Sequence, residues 1–190
     1  MKITKEIGKV KISIRNITYE NVRDIPEPCK TCLYWEKPAF EGKQLSQTEK
    51  TKYEAEKTAW FLKTLKEFGN CGKILYVDSK PVGYVQYSIS ERFPNALGYS
   101  AKTLGTAEEG VAFISCLYIS DENLRGKGLG ERLLDEVISD LKSRRFKAVE
   151  TFARKGSANN PSGPLELYLK EGFQVKEEVD SDFILVRLDI

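Results

Sequence analysis

The sequence predicts an α/β (α+β) protein, and three stretches carry that reading. Val111-Ala112-Phe113-Ile114-Ser115-Cys116-Leu117-Tyr118-Ile119 is rich in β-branched and aromatic residues, and Ser120-Asp121-Glu122-Asn123 then breaks it with polar residues, as at the end of a buried strand. Beyond the glycine-rich string Arg125-Gly126-Lys127-Gly128-Leu129-Gly130, Leu129, Leu133, Leu134, Val137, Ile138 and Leu141 recur at helical spacing, with Glu131, Arg132, Asp135, Glu136, Asp140 and Lys142 opposite. Earlier, Ser46-Gln47-Thr48-Glu49 has the form of a capping box, and Tyr53, Ala55, Ala59, Trp60, Leu62, Leu65 and Phe68 follow as a helix stopped by Gly69-Asn70.

The remaining elements fall in order around these. Between Lys9 and Thr18, apolar Val10, Ile12 and Ile14 alternate with Lys11, Ser13 and Arg15, a half-buried first strand. Tyr19 to Ile25 reads as a short helix ended by Pro26 and Pro28, and Cys29 to Phe40 as an aromatic, irregular stretch that caps the core or lines a pocket. Lys73 to Val77 and Val82 to Ser90 flank the turn Asp78-Ser79-Lys80-Pro81, and Arg92 to Gly110 is a long loop. Ala148 to Ala153 is a further strand and Arg154 to Gly163 a polar loop. Pro164 opens a last helix that Gly172 stops, and Phe173 to Val179 and Phe183 to Leu188 close the chain as a hairpin around Asp180-Ser181-Asp182.

The 190 residues, 41% hydrophobic, suit one domain over 1–190. With 30 basic and 28 acidic residues interleaved along the chain, there is no basic field for nucleic acid. The N-terminal residues lack the apolar core of a signal peptide and no run is long and apolar enough to span a bilayer, so a cytoplasmic protein with no membrane partner is expected. The chain has no histidine, which excludes a Ser-His-Asp triad, a Cys-His pair and imidazole metal ligands. Of Cys29, Cys32, Cys71 and Cys116, only Cys29 and Cys32 are close in sequence. A four-thiolate zinc site needs the other two to converge on them without a second close pair, a redox pair lacks a thioredoxin-like strand before it, and the bland reading is small buried hydrophobes. No metal is expected.

The glycine-rich string opens a helix, where unpartnered amides and the aligned peptide dipoles favour an anion. Gly128 and Gly130 let a phosphate approach the backbone, and Arg125 and Lys127 add charge. A Walker loop occurs nowhere in the chain. A dinucleotide fingerprint counted from Gly126 or Gly128 meets Glu131 or Leu133 where its last glycine belongs, although Glu150 stands about twenty residues on, where that fold keeps its ribose-binding acid.

Arg-x-x-Gly-x-Gly after a strand, here Arg125, Gly128 and Gly130, resembles the acyl-CoA-binding motif of the GNAT N-acetyltransferase superfamily. The later stretch Pro164-Leu165-Glu166-Leu167-Tyr168-Leu169-Lys170-Glu171-Gly172-Phe173-Gln174-Val175 is similar to that family's closing helix, tyrosine and Gly-Phe corner. The resemblance covers Val111 to Ile190 and implies a mixed, mostly antiparallel twisted sheet with helices on both faces, in the order β-α-α-β-β-β-α-β-α-β-β. On this basis 9–110 is the acceptor-side half and 111–190 the acetyl-CoA-binding half.

It also implies acetyl transfer from acetyl-CoA to a primary amine of a small molecule or peptide, by direct attack in a ternary complex. Leu117, Tyr118 and Ile119 would hold the acetyl and pantetheine parts through their main chain, and Arg125, Gly126, Lys127, Gly128, Leu129 and Gly130 the pyrophosphate. Tyr168 would serve the departing thiolate, although at helical spacing from Leu165 it also reads as a packing residue. The family's loop asparagine falls on Pro161 here, leaving Asn159 and Asn160 displaced, with Asn160 the candidate cofactor contact. No carboxylate stands on the central strand, so the general base is unassigned among Glu36, Glu109 and Glu150, and a bound water or an amine arriving partly neutral would also serve. The acceptor side falls on Cys29 to Phe40 and Arg92 to Gly110, where Tyr34, Trp35 and Glu36 would stack on and pair with a cationic amine. A homodimer is left open. The alternative is a catalytically silent CoA-binding protein or a Cys-x-x-Cys metal or redox module.

Overall fold

The computed structural model describes residues 11–40, 44–99, 109–156 and 163–190. Seven strands form one sheet in the order β1-β2-β3-β4-β5-β7-β6. They are β1 (Ile12–Asn16), β2 (Gly72–Val77), β3 (Lys80–Ser88), β4 (Val111–Ile119), β5 (Ala148–Arg154), β6 (Gln174–Glu178) and β7 (Phe183–Asp189). All neighbours are antiparallel except β4 and β5, which run parallel because α3 (Leu129–Ser143) crosses over between them. The mixed, mostly antiparallel sheet is the one the resemblance implies.

Helices cover both faces. On one, α3 sets Leu133, Leu134, Val137 and Leu141, all fully buried, against Leu75, Val85, Ala112 and Ile114 of the sheet, joined by Tyr168 of α4 (Leu165–Lys170). Each such side chain contributes about 1.5–3 kcal/mol. The opposite face receives α1 (Gln47–Glu67), whose Phe61 packs with Ile17, Ile74 and Tyr84. The capping box that starts α1 is present: Glu49 N–H donates to Ser46 Oγ at 3.3 Å and Ser46 N–H to Glu49 Oε2 at 2.8 Å. Among the described residues no helix is long and apolar enough to cross a membrane.

Several expected boundaries move. The first helix, placed at Tyr19 to Ile25, is a single 3₁₀ turn over Val22–Asp24. Pro26 leaves it too short to nucleate, and Asn21 Oδ1 takes the Thr18 amide at 2.7 Å in competition with helical bonding. The β2–β3 connection is two residues rather than four: Asp78 and Ser79 adopt φ of 48° and 68°, and Lys80 and Pro81 already belong to β3. The loop from Arg92 to Gly110 contains a short helix α2 (Pro94–Leu97), with proline at its start and Gly98 at its end. Pro164 precedes α4 in an extended conformation instead of lying within its first turn. Residues 9 and 10 of the expected first strand lie outside the described residues.

Candidate functional site

Two irregularities of β4 shape the site. Opposite β3 the register passes from Gln86↔Cys116 to Tyr87↔Ile114, which leaves Ser115 as a bulge, its hydroxyl donating to the Gln86 carbonyl at 3.3 Å. The bulge resets the alternation. Ala112 and Ile114 before it and Leu117 and Ile119 after it all face α3, while Phe113 and Cys116 face the other side. Toward β5, pairing stops at Ile114↔Thr151, and beyond that point the two parallel strands are no longer joined. The edge of β4 from Ser115 onward opens into a cleft.

That cleft holds a cavity of about 340 Å³. Leu117, Tyr118 and Ile119 form one wall, Gly163, Pro164 and Leu167 the other, and Arg125, Gly126, Gly128, Leu129 and Gly130 line it at the start of α3. Gly126 and Gly128 adopt φ of 70° and 76°, and Gly128 is the residue from which α3 starts. The first amides of α3 therefore face the cavity with no partners inside the helix and with the positive end of its dipole behind them. A Cβ on Gly130 would meet Leu117 and Leu167 at 3.6 and 3.7 Å, so a side chain there would fill the space between the walls.

Arg125 is turned back onto the strand. Its Nε donates to the Ile119 carbonyl at 2.9 Å and Nη2 to the Tyr118 hydroxyl at 2.8 Å, while the guanidinium lies 5.1 Å from the Tyr118 ring centre. It fastens the end of β4 to the glycine turn. Lys127 is exposed and does not line the cavity. Asn160, with Asn159 and Pro161, lies outside the described residues.

Tyr168 is fully buried, its ring edge-on to Phe173 with centroids 5.2 Å apart. The packing reading of this residue therefore holds, and its hydroxyl has a separate place. It shares a hydrogen bond with Thr151, the residue where β5 leaves β4, and lies against Gly163 in the cavity wall. Burial pushes this hydroxyl well above the ordinary tyrosine range, against the pull of Thr151. The hydroxyl therefore stays protonated at neutral pH.

The residues expected on the acceptor side separate. Trp35 is buried, stacked over Phe152 at 6.2 Å between centroids and edge-on to Phe113, so it anchors its segment to the core. Tyr34 is partly exposed and its hydroxyl bonds that of Tyr99. Glu36 turns inward: its Oε1 lies 2.5 Å from Lys57 Nζ of α1 and 2.5 Å from Gln86 Nε2 of β3. Burial alone would lower the Lys57 pKa, but the adjoining carboxylate outweighs it and holds the ammonium above its ordinary value. Of the other carboxylates, Glu109 is exposed in the turn before β4, and Glu150 is buried against Lys176 at 2.5 Å and Arg187 at 3.2 Å.

Sequence reading missed Gly163, Thr151, Lys57 and Gln86. Lys57 carried a signal, since it shares the buried stripe of α1 with Phe61 and Thr64. Cys29 and Cys116 are in hydrogen-bond contact, with burial also raising the Cys116 thiol pKa, but among the described residues no group of three or more His, Cys, Asp or Glu side chains is placed to hold a metal.

Comparison with known proteins adds a family and a fold. Residues 25–173 match the acetyltransferase (GNAT) family. The structure is similar to that of PaiA N-acetyltransferase from Thermoplasma acidophilum in complex with coenzyme A, with 16% identity, TM-score 0.62 and coverage of 95% of this chain and 99% of that one. It is also similar to ribosomal-protein-alanine N-acetyltransferase from Brucella melitensis (17% identity, TM-score 0.59, 94% and 99% covered). Arabidopsis thaliana Naa50, in complex with the bisubstrate analogue CoA-Ac-MVNAL, is more distant at 13% identity and TM-score 0.53, with 94% and 99% covered. A search of curated proteins found no match.

Proposed function

Because the chain belongs to the GNAT acetyltransferase family, we propose that it transfers an acetyl group from acetyl-CoA to a primary amine by direct attack within a ternary complex. The observation that carries this reading is the parting of β4 from β5 beside the glycine turn, a slot bounded by Leu117 and Leu167 with a helix N-terminus at its mouth. The slot suits an extended arm that can accept and donate hydrogen bonds along the free edge of β4, and the turn suits the pyrophosphate at its end. Leu117 to Ile119 bind the arm and Gly126 to Gly130 the phosphates, while Arg125 holds the turn in shape through Ile119 and Tyr118.

Tyr168 supports the departing sulfur. Free tyrosine and thiol pKa values of about 10 and about 8.5 already make full proton transfer to the thiolate uphill, and burial of Tyr168 widens that gap. Its contribution is therefore a hydrogen bond to charge developing on sulfur, made by turning the hydroxyl from Thr151, whose own hydroxyl donates to the Ile114 carbonyl at 2.8 Å.

A thermal-shift panel with acetyl-CoA, CoA and NAD tests the donor: acetyl-CoA and CoA at a hundred times Kd add about 2.7 kcal/mol of stability while NAD adds none. Release of CoA thiol on adding amines then tests the transfer. Failure of both CoA compounds to move the midpoint would overturn the reading.

A further inference from the structure

The cleft between β4 and α4 is lined by charge as well as by glycine. Glu131, in the first turn of α3, and Glu166 and Lys170, on α4, border the same cavity as Arg125. Lys170 Nζ lies 2.6 Å from Glu131 Oε1, so an ion pair joins the α4 side of the cavity to the start of α3. Arg125 is engaged with Ile119, Tyr118 and Glu122, and Lys127 and Arg132 are exposed beside the turn without lining the cavity. Arg125 and Lys170 against Glu131 and Glu166 leave the charged lining with no net charge, which is unexpected where a phosphate is to bind.

Glu131 turns its second oxygen toward the glycine turn. A Cβ on Gly128, the residue from which α3 starts, would lie 3.9 Å from Glu131 Oε2. No side chain caps α3 by a hydrogen bond, so this carboxylate brings its charge to the helix start without taking up the amides there. The positive end of the helix favours a carboxylate in its first turn for the same reason that it favours a phosphate. Two anions drawn to one helix start repel each other at close range, so Glu131 and the donor's phosphate compete.

Lys170 governs that competition. Its hydrogen bond to Glu131 holds the ammonium pKa above the ordinary lysine value, and the ammonium in turn offsets the carboxylate's charge. The two side chains are 62% and 35% exposed, and an ion pair this open to water contributes little and breaks readily. Because Lys170 itself lines the cavity, a phosphate entering there can draw the ammonium away on its flexible stem, and Glu131 then turns to solvent. Glu166, exposed on the same wall one helical turn before Lys170, adds a second repulsion that the ammonium offsets.

We propose that Glu131 is an internal counter-anion of the donor cleft, which holds Lys170 until the donor's phosphate displaces it and takes Lys170 in its place. This rests on the acetyl-CoA reading above. The exchange makes and breaks no covalent bond. It acts alike on acetyl-CoA and on CoA, which carry the same phosphates, and so lowers the hold of the cleft on both without touching the reacting sulfur. Glu131 therefore works against donor affinity and in favour of product release, and Lys170 is the contact that the phosphate gains.

Calorimetry with acetyl-CoA and CoA at low salt and at about 1 M salt tests the exchange. Glu131→Gln tightens both ligands, by about three- to fivefold at low salt, and the gain disappears at high salt because it is one of charge. Lys170→Met weakens both by about tenfold. Glu131→Gln/Lys170→Met binds more tightly than Lys170→Met and more weakly than Glu131→Gln. Both positions are open to solvent, so urea midpoints stay close to that of the wild-type protein. A Glu131→Gln protein that binds acetyl-CoA no more tightly than wild type, a gain that persists at high salt, or a double variant equal to Glu131→Gln overturns the proposal. A wild-type protein that binds neither acetyl-CoA nor CoA overturns the donor reading beneath it as well.

Discussion

A Cβ placed on Gly163 would lie 2.9 Å from the Tyr168 hydroxyl, and Gly163 adopts φ of 82°. The absence of a side chain at Gly163 is what leaves the tyrosine room beside Thr151. The loop before α4 and the helix it introduces are therefore one unit, and the hydroxyl's position depends on both.

Tyr168→Phe should lower kcat about 100-fold or more while leaving the acetyl-CoA Kd unchanged, as read by steady-state kinetics and calorimetry. Gly163→Ala should also lower kcat, because the methyl displaces the ring, and should destabilise the fold by about 1–2 kcal/mol from the left-handed backbone alone. An unchanged kcat in Tyr168→Phe would remove the hydroxyl from the reaction.

The glycines of the turn should separate by mechanism. Gly128→Ala forces a side chain onto φ of 76° and should cost about 1–2 kcal/mol in urea unfolding as well as acetyl-CoA affinity. Gly130→Ala meets Leu117 and Leu167 only at ordinary contact distances. It should leave the urea midpoint in place and weaken acetyl-CoA binding by narrowing the cleft. Equal affinity in Gly130→Ala and wild type would argue against occupancy of this slot.

The buried pair predicts non-additivity. Lys57→Met leaves Glu36 charged and buried and should destabilise by about 3–5 kcal/mol, whereas Lys57→Met combined with Glu36→Gln should recover most of that loss. Chemical denaturation of the two single variants and the double variant measures the coupling. Simple addition of the single effects would show that the contact carries no such energy.

Alkaline pH should weaken the fold. Burial pushes the Cys71 thiol from its ordinary value of 9.0 to about 12. The unfolded chain therefore loses this proton first. Stability is whole below about pH 9 and falls between about 9 and about 12, by up to about 1.4 kcal/mol per pH unit for this group. Cys71→Ala should flatten that slope in urea titrations from about pH 8 to about pH 10.5. A slope identical to that of wild type would assign the alkaline loss to other groups.

Much of this architecture was readable in local pattern. Ser46 and Glu49 announced the start of α1, Leu133 to Leu141 the buried stripe of α3, and Gly172 the stop of α4, because capping and amphipathicity depend on residues a few positions apart. The Pro94 and Gly98 bracket of α2 was equally local and was passed over for the length of the loop around it. Placement of Tyr34, Trp35 and Glu36 was not readable, since three adjacent residues in irregular chain go to three environments: surface, aromatic core and buried ion pair.

The sequence by itself determined the seven strands and the helices α1, α3 and α4, the glycine turn that starts α3 and the family resemblance carried by Arg125, Gly128, Gly130 and Tyr168, all of which lie in short contiguous stretches. Only the tertiary structure decided that β4 parts from β5 after Ile114, that Arg125 clasps Ile119 and Tyr118, and that Lys57 meets Glu36 and Gln86. The physical reason is sequence distance. Strand register and buried charge pairing join residues from separate elements, and their energies depend on burial and orientation that exist only once the sheet and α1 have packed together.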